Sequence, residues 1–248
     1  MLVGGPRIAA AADISLPTKA PVAPAYQWTG CYVGLNGGGG AIGTNFRTTV
    51  NSGTYLDVAD AAEVSNDGTG SYDNSNFIGG GQVGCNWQSV TIVVGLEGDF
   101  DYFPGKSSFA NDTDTLPDLG IPFVIGQQLT TNYLATVRPR IGIAADRNFA
   151  YLTGGVAFTR ASYTESYGDS NGAIGTAAAS SLLTGWTAGA GWEYALTDHW
   201  LFRVEYLFAA FPTTSALGSI VLGSDTNSLH GSGGLIMQVA RAGVNFKF

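Results

Sequence analysis

Charge is what this sequence has least of. Asp, Glu, Lys and Arg make up 12% of the chain, about half the share of an ordinary soluble domain. Nineteen acids against eleven bases leave a net charge of −8. No basic run is present, which excludes nucleic acid as a partner, because phosphate needs a basic surface. Long hydrophobic runs are missing too. A membrane-crossing helix needs about 18 or more apolar residues. The one long uncharged stretch, Ser170 to Trp192, has 12 Gly, Ser, Thr or Asn among its 23 residues, and its second half alternates with period two. Two histidines and two cysteines match no zinc-ligand spacing, so neither a metal nor a cofactor is expected.

What is abundant is glycine, 36 residues, and aromatic side chains, 12%. From Trp28 onward hydrophobicity alternates with period two in eight places. The clearest carries Trp200, Phe202, Val204, Tyr206 and Phe208 on one face and Arg203 and Glu205 on the other. A charge opposite an oily stripe marks a strand with one face toward lipid. The same count places strands near 28–41, 77–87, 90–102, 133–144, 149–159, 184–195, 200–209 and 236–248, each long enough to cross a bilayer at a tilt. Short connections (Gln88-Ser89, Ala145 to Asn148, Leu196 to His199) alternate with long ones rich in Gly, Ser, Thr, Asn and Asp (42–76, 103–132, 160–183, 210–235). The expectation is an all-β, eight-stranded antiparallel up-and-down transmembrane barrel with four long outer loops and short periplasmic turns, both termini in the periplasm.

Every ionisable residue in these strands falls opposite the oily stripe. The set is Glu97, Asp99, Asp101, Arg138, Arg140, Glu193, Arg203, Glu205, Arg241 and Lys247, five acids and five bases. An Arg or Lys near the bilayer midplane costs about 2–4 kcal/mol on the lipid face. The set therefore fills the lumen, and buried charges persist when paired, here between neighbouring strands three and four, six and seven, seven and eight. The four long loops carry eleven acids and three bases, Arg47, Lys106 and Arg160, and so the whole net charge. They read as a solvated, acidic outer surface, open to contact with a host or envelope partner or, through divalent cations, with anionic lipid.

The first twelve residues, with Ala9-Ala10-Ala11-Ala12 before Asp13, read as the remnant of a signal and cleavage region. Residues 13–27, including LPTKAPVAPAY, read as a Pro-rich periplasmic segment ahead of a barrel at 28–248. Cys31 and Cys85 lie near the periplasmic end of neighbouring antiparallel strands, both on the lipid side. Directly opposite partners are about 4.5–5.5 Å apart at Cβ, within bridging reach in an oxidising compartment. A slip of two residues would leave two free lipid-facing thiols instead, and register decides.

The strings WTGCYVGLNGGG, GGQVGCNWQ, VVGLEGDFDY, TVRPRIGIA, AYLTGGVAF, GWTAGAGWEYAL, WLFRVEYLF and RAGVNFKF, in this order from Trp28 to Phe248, resemble the outer membrane immunogenic protein family. These are porin-like eight-strand barrels related to the OmpA transmembrane domain and the opacity proteins. The resemblance implies the fold, an outer-membrane address among lipid and lipopolysaccharide, a monomeric surface antigen with a role in envelope integrity, and no catalytic residue. It also implies a C-terminal signal read by the outer-membrane assembly machinery, carried here by Arg241, Gly243, Phe246 and Phe248. Two departures stand out: the cysteines where aromatic residues are usual, and Pro139 where Gly is usual. Lacking an N–H, Pro139 predicts a local bulge in strand four.

Other functions remain in play. A barrel enzyme acting on lipid A would need more than His230 and Ser232, which have no orienting acid near them in sequence. A water-filled porin has about 16–18 strands, twice the number here. An adhesin acting through the loops leaves no sequence signature.

Overall fold

The computed structural model describes Met1, residues 26–111 and residues 114–248; the expected cleavage region and most of the Pro-rich segment lie outside the described residues. Eight strands follow in order: β1 (Gly30–Val50), β2 (Gly70–Ser89), β3 (Ile92–Asn111), β4 (Phe123–Ala145), β5 (Asn148–Asp169), β6 (Ile174–Ala195), β7 (Trp200–Leu222) and β8 (Asp225–Lys247). Each pairs antiparallel with the next, and β8 pairs with β1, which closes the barrel. One helix, α1 (Val58–Asp67), stands between β1 and β2. No helix among the described residues is long and apolar enough to cross a membrane.

The stagger can be read from the register. From Val33 the partners run through Val83, Gly98, Val137, Val156, Trp186, Ala210 and Ile236 and return to β1 at Gly43, ten residues further on. Strand number and shear together fix the tilt, here about 40° to the barrel axis. Phe77 and Trp87, ten residues apart on β2 and both exposed, are then separated by about 25 Å along the axis, the height of an apolar belt between two aromatic girdles.

The strands are longer than periodicity suggested, and the four segments read as long loops are mostly barrel wall. Only residues 51–69, which include α1, 112–122, 170–173 and 223–224 lie between strands at that end. The cause is an inversion of the alternation part-way up each strand. In the lower half the outer face is oily (Val83, Leu96, Ile141, Leu152, Trp192, Val204) and the inner face charged. In the upper half the outer face carries Arg47, Ser71, Lys106, Thr164, Ser166 and Ser180, while Ile42, Phe46, Phe103, Ile125, Leu129 and Tyr163 are buried inside. That upper wall follows the logic of a barrel in water, apolar within and polar without.

The interior forms three layers. At the short-turn end Tyr26, Trp28, Val93, Ala144, Phe149, Tyr151, Ala195 and Leu201 make one apolar cluster. Trp28 is fully buried, with its Nε1 donating to Asp146 O at 3.0 Å and its backbone N to Gln88 Oε1 at 2.7 Å. Among the described residues the packing includes Tyr26, ahead of Trp28. The charged residues occupy the middle. Above them a large apolar cluster takes in Leu56, Ala61 and Val64 from α1 and its approach. This segment crosses the mouth, with Leu56 N donating to Asn227 Oδ1 of β8 at 2.9 Å, Tyr55 to Asp169 of β5 at 2.7 Å, and Gln127 of β4 to Gly68 O at 2.8 Å.

Two smaller expectations need correcting. The first turn lies at Val90-Thr91, not Gln88-Ser89. Pro139 makes no bulge. The β4–β5 ladder skips from Val137↔Val156 to Arg140↔Thr153 with unchanged register, and Thr153 Oγ1 donates to Pro139 O at 2.9 Å. The register shift in β4 falls between Thr131 and Ala135.

Candidate functional site

Period two puts residues 97, 99 and 101 of β3, 138 and 140 of β4, 193 of β6, 203 and 205 of β7, and 241 of β8 on the inner face, and all nine are buried. The structure brings them into one connected lattice. Glu97 is a hub: it accepts from Arg138 at 2.8 Å, Arg203 at 2.8 Å and Arg140 at 3.4 Å. Glu205 is a second hub, meeting Arg203 at 2.7 Å, Arg241 at 2.6 Å and Arg138 at 3.2 Å. Arg140 ends one arm on Glu193 at 2.6 Å; Arg241 ends the other on Asp101 and on Asp99 at 3.3 Å; Arg138 also holds Asp99 at 2.8 Å.

The pattern of pairs differs from expectation. Neighbour pairs exist between β3 and β4 and between β7 and β8. The long-range pairs, however, cross the lumen: Glu97 to Arg203, Arg138 to Glu205, Arg140 to Glu193, and Arg241 to Asp99 and Asp101. Glu193 and Arg203, although register partners, each bond elsewhere, because an arginine in so narrow a barrel reaches the far wall. Inward glycines make room for this: a Cβ at Gly155 would lie 3.1 Å from Arg138 Cγ.

Lys247 is the exception. It shares the inner parity but sits at the strand end, below the lattice, where Nζ donates to Gln27 O and lies 4.1 Å from the Tyr26 ring centroid. It makes no ion pair among the described residues and belongs to the base plug.

Uncharged residues of the same parity complete the lattice. Tyr32 donates to Glu97, Tyr151 to Glu205 at 2.9 Å, Thr136 to Asp99 at 2.6 Å and Asn36 to Asp101 at 2.9 Å. Arg140 donates to Asn86 at 3.0 Å, and its guanidinium lies over the rings of Tyr32, Tyr151 and Phe149 at 4.8, 5.0 and 5.5 Å. Their signal was the parity itself; a search for charges passes over them. This arrangement pairs every buried charge of the lattice, although Arg140 Nη2, Arg203 Nε and Glu193 Oε2 lack a hydrogen-bond partner among the described residues. It holds no cluster of three or more His, Cys, Asp or Glu fit for a metal among the described residues.

A family model described as the outer membrane protein beta-barrel domain matches residues 8–248. This chain belongs to the outer membrane β-barrel family. The 31 kDa outer-membrane immunogenic protein of Brucella melitensis is 33% identical to it over 97% of this chain and 93% of that protein. The 25 kDa outer-membrane immunogenic protein of Brucella abortus is 29% identical over 79% and 71%. The 22 kDa outer membrane protein of Rhizobium leguminosarum bv. viciae is 28% identical over 85% and 79%. Among solved structures, the outer membrane protein OprG of Pseudomonas aeruginosa matches with a TM-score of 0.40 and 11% identity, covering 90% of this chain and 98% of that one.

The remaining sequence-marked residues of this family member, apart from Arg241, lie outside the lattice. Cys31 and Cys85 are register partners with Cα atoms 4.0 Å apart and are joined as a disulfide. Both share the outward face with Val33, Val83 and Trp87. Of the C-terminal set, Arg241 is a lattice member and Gly243 faces inward against Leu35 O. Phe246 stacks on His199 and meets Trp200 edge-on, 5.6 and 5.2 Å between centroids. Phe248 is exposed, its N–H donating to Cys31 O at 3.1 Å. His230 and Ser232 share the outer face of β8; Ser232 Oγ donates to Arg47 O, not to His230. Two acids assigned to solvated loops are buried instead: Glu165 faces inward from β5, bonded to Thr48, Gln127 and Tyr163, and Asp60 on α1 accepts from Asp118 N.

Proposed function

We propose that this outer membrane barrel is a structural element closed to solutes, which supports the envelope and meets its surroundings through its outer wall and acidic tips. One observation carries the reading: a lattice of five acids and four arginines crosses the lumen, and apolar clusters pack it from both sides. Cross-lumen pairs tie opposite walls together and leave no room for a water column. The short turns, Tyr26 and the C-terminal Phe248 share one end of the barrel, which we assign to the periplasm, with α1 and the polar upper wall outside the cell. Phe246 and Phe248, at the seam between β8 and β1, suit recognition by the assembly machinery, since an edge strand offers unpaired backbone. The reading is non-catalytic; the lattice carboxylates are buried and each is held by at least one arginine, so none faces a substrate.

In planar bilayers the refolded protein is expected to pass no steady single-channel current, and a strain lacking it to become more sensitive to detergents. Large ohmic currents, or a deletion strain with an unchanged envelope, would overturn the corresponding half of the reading.

A further inference from the structure

Seven consecutive pairs of the β1–β2 ladder, from Gly34↔Gln82 to Gly40↔Asn76, each contain at least one glycine. Side-chain pairing is what specifies register, and glycine-rich strands specify it weakly. On the other side of β1, Gly37 to Gly40 again supply no side chain, opposite Ala242, Arg241, Ala240 and Val239. A slip of two residues keeps every side chain on its own face, so alternation alone does not oppose it. Its cost falls on closure. β1 pairs with both β2 and β8, and a slip there would move the ten-residue stagger two residues up or down and change the width of the barrel. It would also part Asn36 from Gln82 and Asp101, now 2.8 and 2.9 Å away.

A covalent tie stands at the foot of this stretch. Cys31 and Cys85 are direct partners, three pairs below Gly34↔Gln82, and their bridge joins residues 54 apart in the chain. Their side chains line an outward groove with Val33, Val83, Trp87, Leu96 and Phe248, and Cys85 lies between Trp87 and Phe77, the two girdle residues of β2. In the finished barrel the bridge therefore faces acyl chains. The attacking species in disulfide exchange is the thiolate, a charged group that acyl chains do not solvate.

We propose that the Cys31–Cys85 disulfide is a register lock, closed by a protein disulfide oxidant of the periplasm before the chain enters the membrane. In the exchange one cysteine thiolate attacks the disulfide of the oxidant and forms a mixed disulfide. The second cysteine then displaces the oxidant, which leaves as a dithiol carrying two electrons and two protons. An outer-membrane chain crosses the periplasm before it inserts, and that compartment is oxidising. There the bridge selects one of the registers that glycine leaves open, and β8 closes on a β1 whose offset is already set. The chain is a substrate of thiol oxidation, and that reaction precedes barrel closure.

The test folds the urea-denatured full chain into dilauroylphosphatidylcholine vesicles and follows the heat-modifiable form. Oxidised wild type is expected to reach it roughly tenfold or more faster than the Cys31→Ser, Cys85→Ser variant. Two further variants separate register from added stability. In the serine background, Ala41→Cys with Ser75→Cys moves the bridge up the same register, since Ala41 and Ser75 are partners on the outer face. Ala41→Cys with Phe77→Cys imposes the two-residue slip. Bridged before folding, the first pair should restore the rate and the second should block the heat-modifiable form. Equal rates for wild type and serine variant, no rescue by the moved bridge, or normal folding with the slipped one would overturn the lock. For the order of events, wild type is embedded under reducing conditions, freed of reductant and given oxidised glutathione. Both thiols should remain open to alkylation once the protein is denatured; complete oxidation would overturn closure before insertion.

Discussion

At the scale of single residues, Glu97 and Lys247 mark what alternation can and cannot tell. Parity assigns a side chain to a face, and it assigned both inward. It does not assign height, and height decides that Glu97 holds three arginines while Lys247 lies against Tyr26 at the rim. The energetic consequence is large. Removing one partner of a buried ion pair leaves the others uncompensated and costs about 3–5 kcal/mol. Arg138→Ala strips Glu97, Asp99 and Glu205 of a shared donor and is expected to fall in that range, whereas Lys247→Ala loses a cation–ring contact of about 0.5–1 kcal/mol. Urea unfolding of the two variants in the same micelles compares them directly; similar midpoints would mean that the lattice contributes no more than the rim. Tyr32, Asn86, Thr136 and Tyr151 escaped the sequence reading because uncharged residues carry no warning about which face is costly.

Among the elements, strand number, order and the alternation of short turns were legible, the first turn two residues out of place, because in the membrane an oily outer face alternates with a charged inner one. The upper strands were not. There the faces exchange roles, and a stretch such as Ser162, Thr164 and Ser166 beside Tyr163 and Glu165 reads as a polar loop unless the inversion is anticipated. Nor was α1 legible: ten residues with three charges, capped by Asp57 accepting from Ala59 N and Asp60 N at 2.9 and 3.0 Å, owe their place to Leu56, Ala61 and Val64 packing into the mouth. Its C-terminal end is pH-sensitive. Burial, together with Asp114 and Glu63 nearby, pushes the Asp67 carboxyl up to about 6 from 3.8. A raised carboxyl favours the docked helix while protonated, so docking is firmest below pH about 4 and weakens as pH rises through about 6. At the other end the Asp57 carboxyl is held low, first by the backbone N–H of Asp60 and then by a hydrogen bond with Asp118, while that same bond raises Asp118. Amide protection factors in α1, corrected for intrinsic exchange, are expected to be higher at pH 4.5 than at 7.5 in the wild type and level in Asp67→Asn. A pH trend that survives in Asp67→Asn would assign it elsewhere.

For the whole molecule, the three interior layers act in series. An ion crossing the barrel would meet the Tyr26, Trp28 and Phe149 plug, then the charge lattice, then the apolar cluster that α1 helps to fill, and barriers in series are governed by the highest one left. Loss of stability and loss of closure therefore separate. Arg138→Ala should unfold at lower urea yet remain silent in planar bilayers, because the layers above and below it still exclude water. Trp28→Ala, which opens the base alone, should likewise stay silent. Deleting residues 54–68 removes α1 from the mouth but leaves Ile42, Phe46, Ile125 and Tyr163 packed inside the upper wall, so this variant too is expected to carry no steady current. Conductance should appear only when the base, lattice and mouth changes are combined in one chain that still folds, as judged by heat-modifiable migration. If any single change already gave ohmic channels, the other two layers would have to be permeable, and the barrel would be a gated pore rather than a filled one.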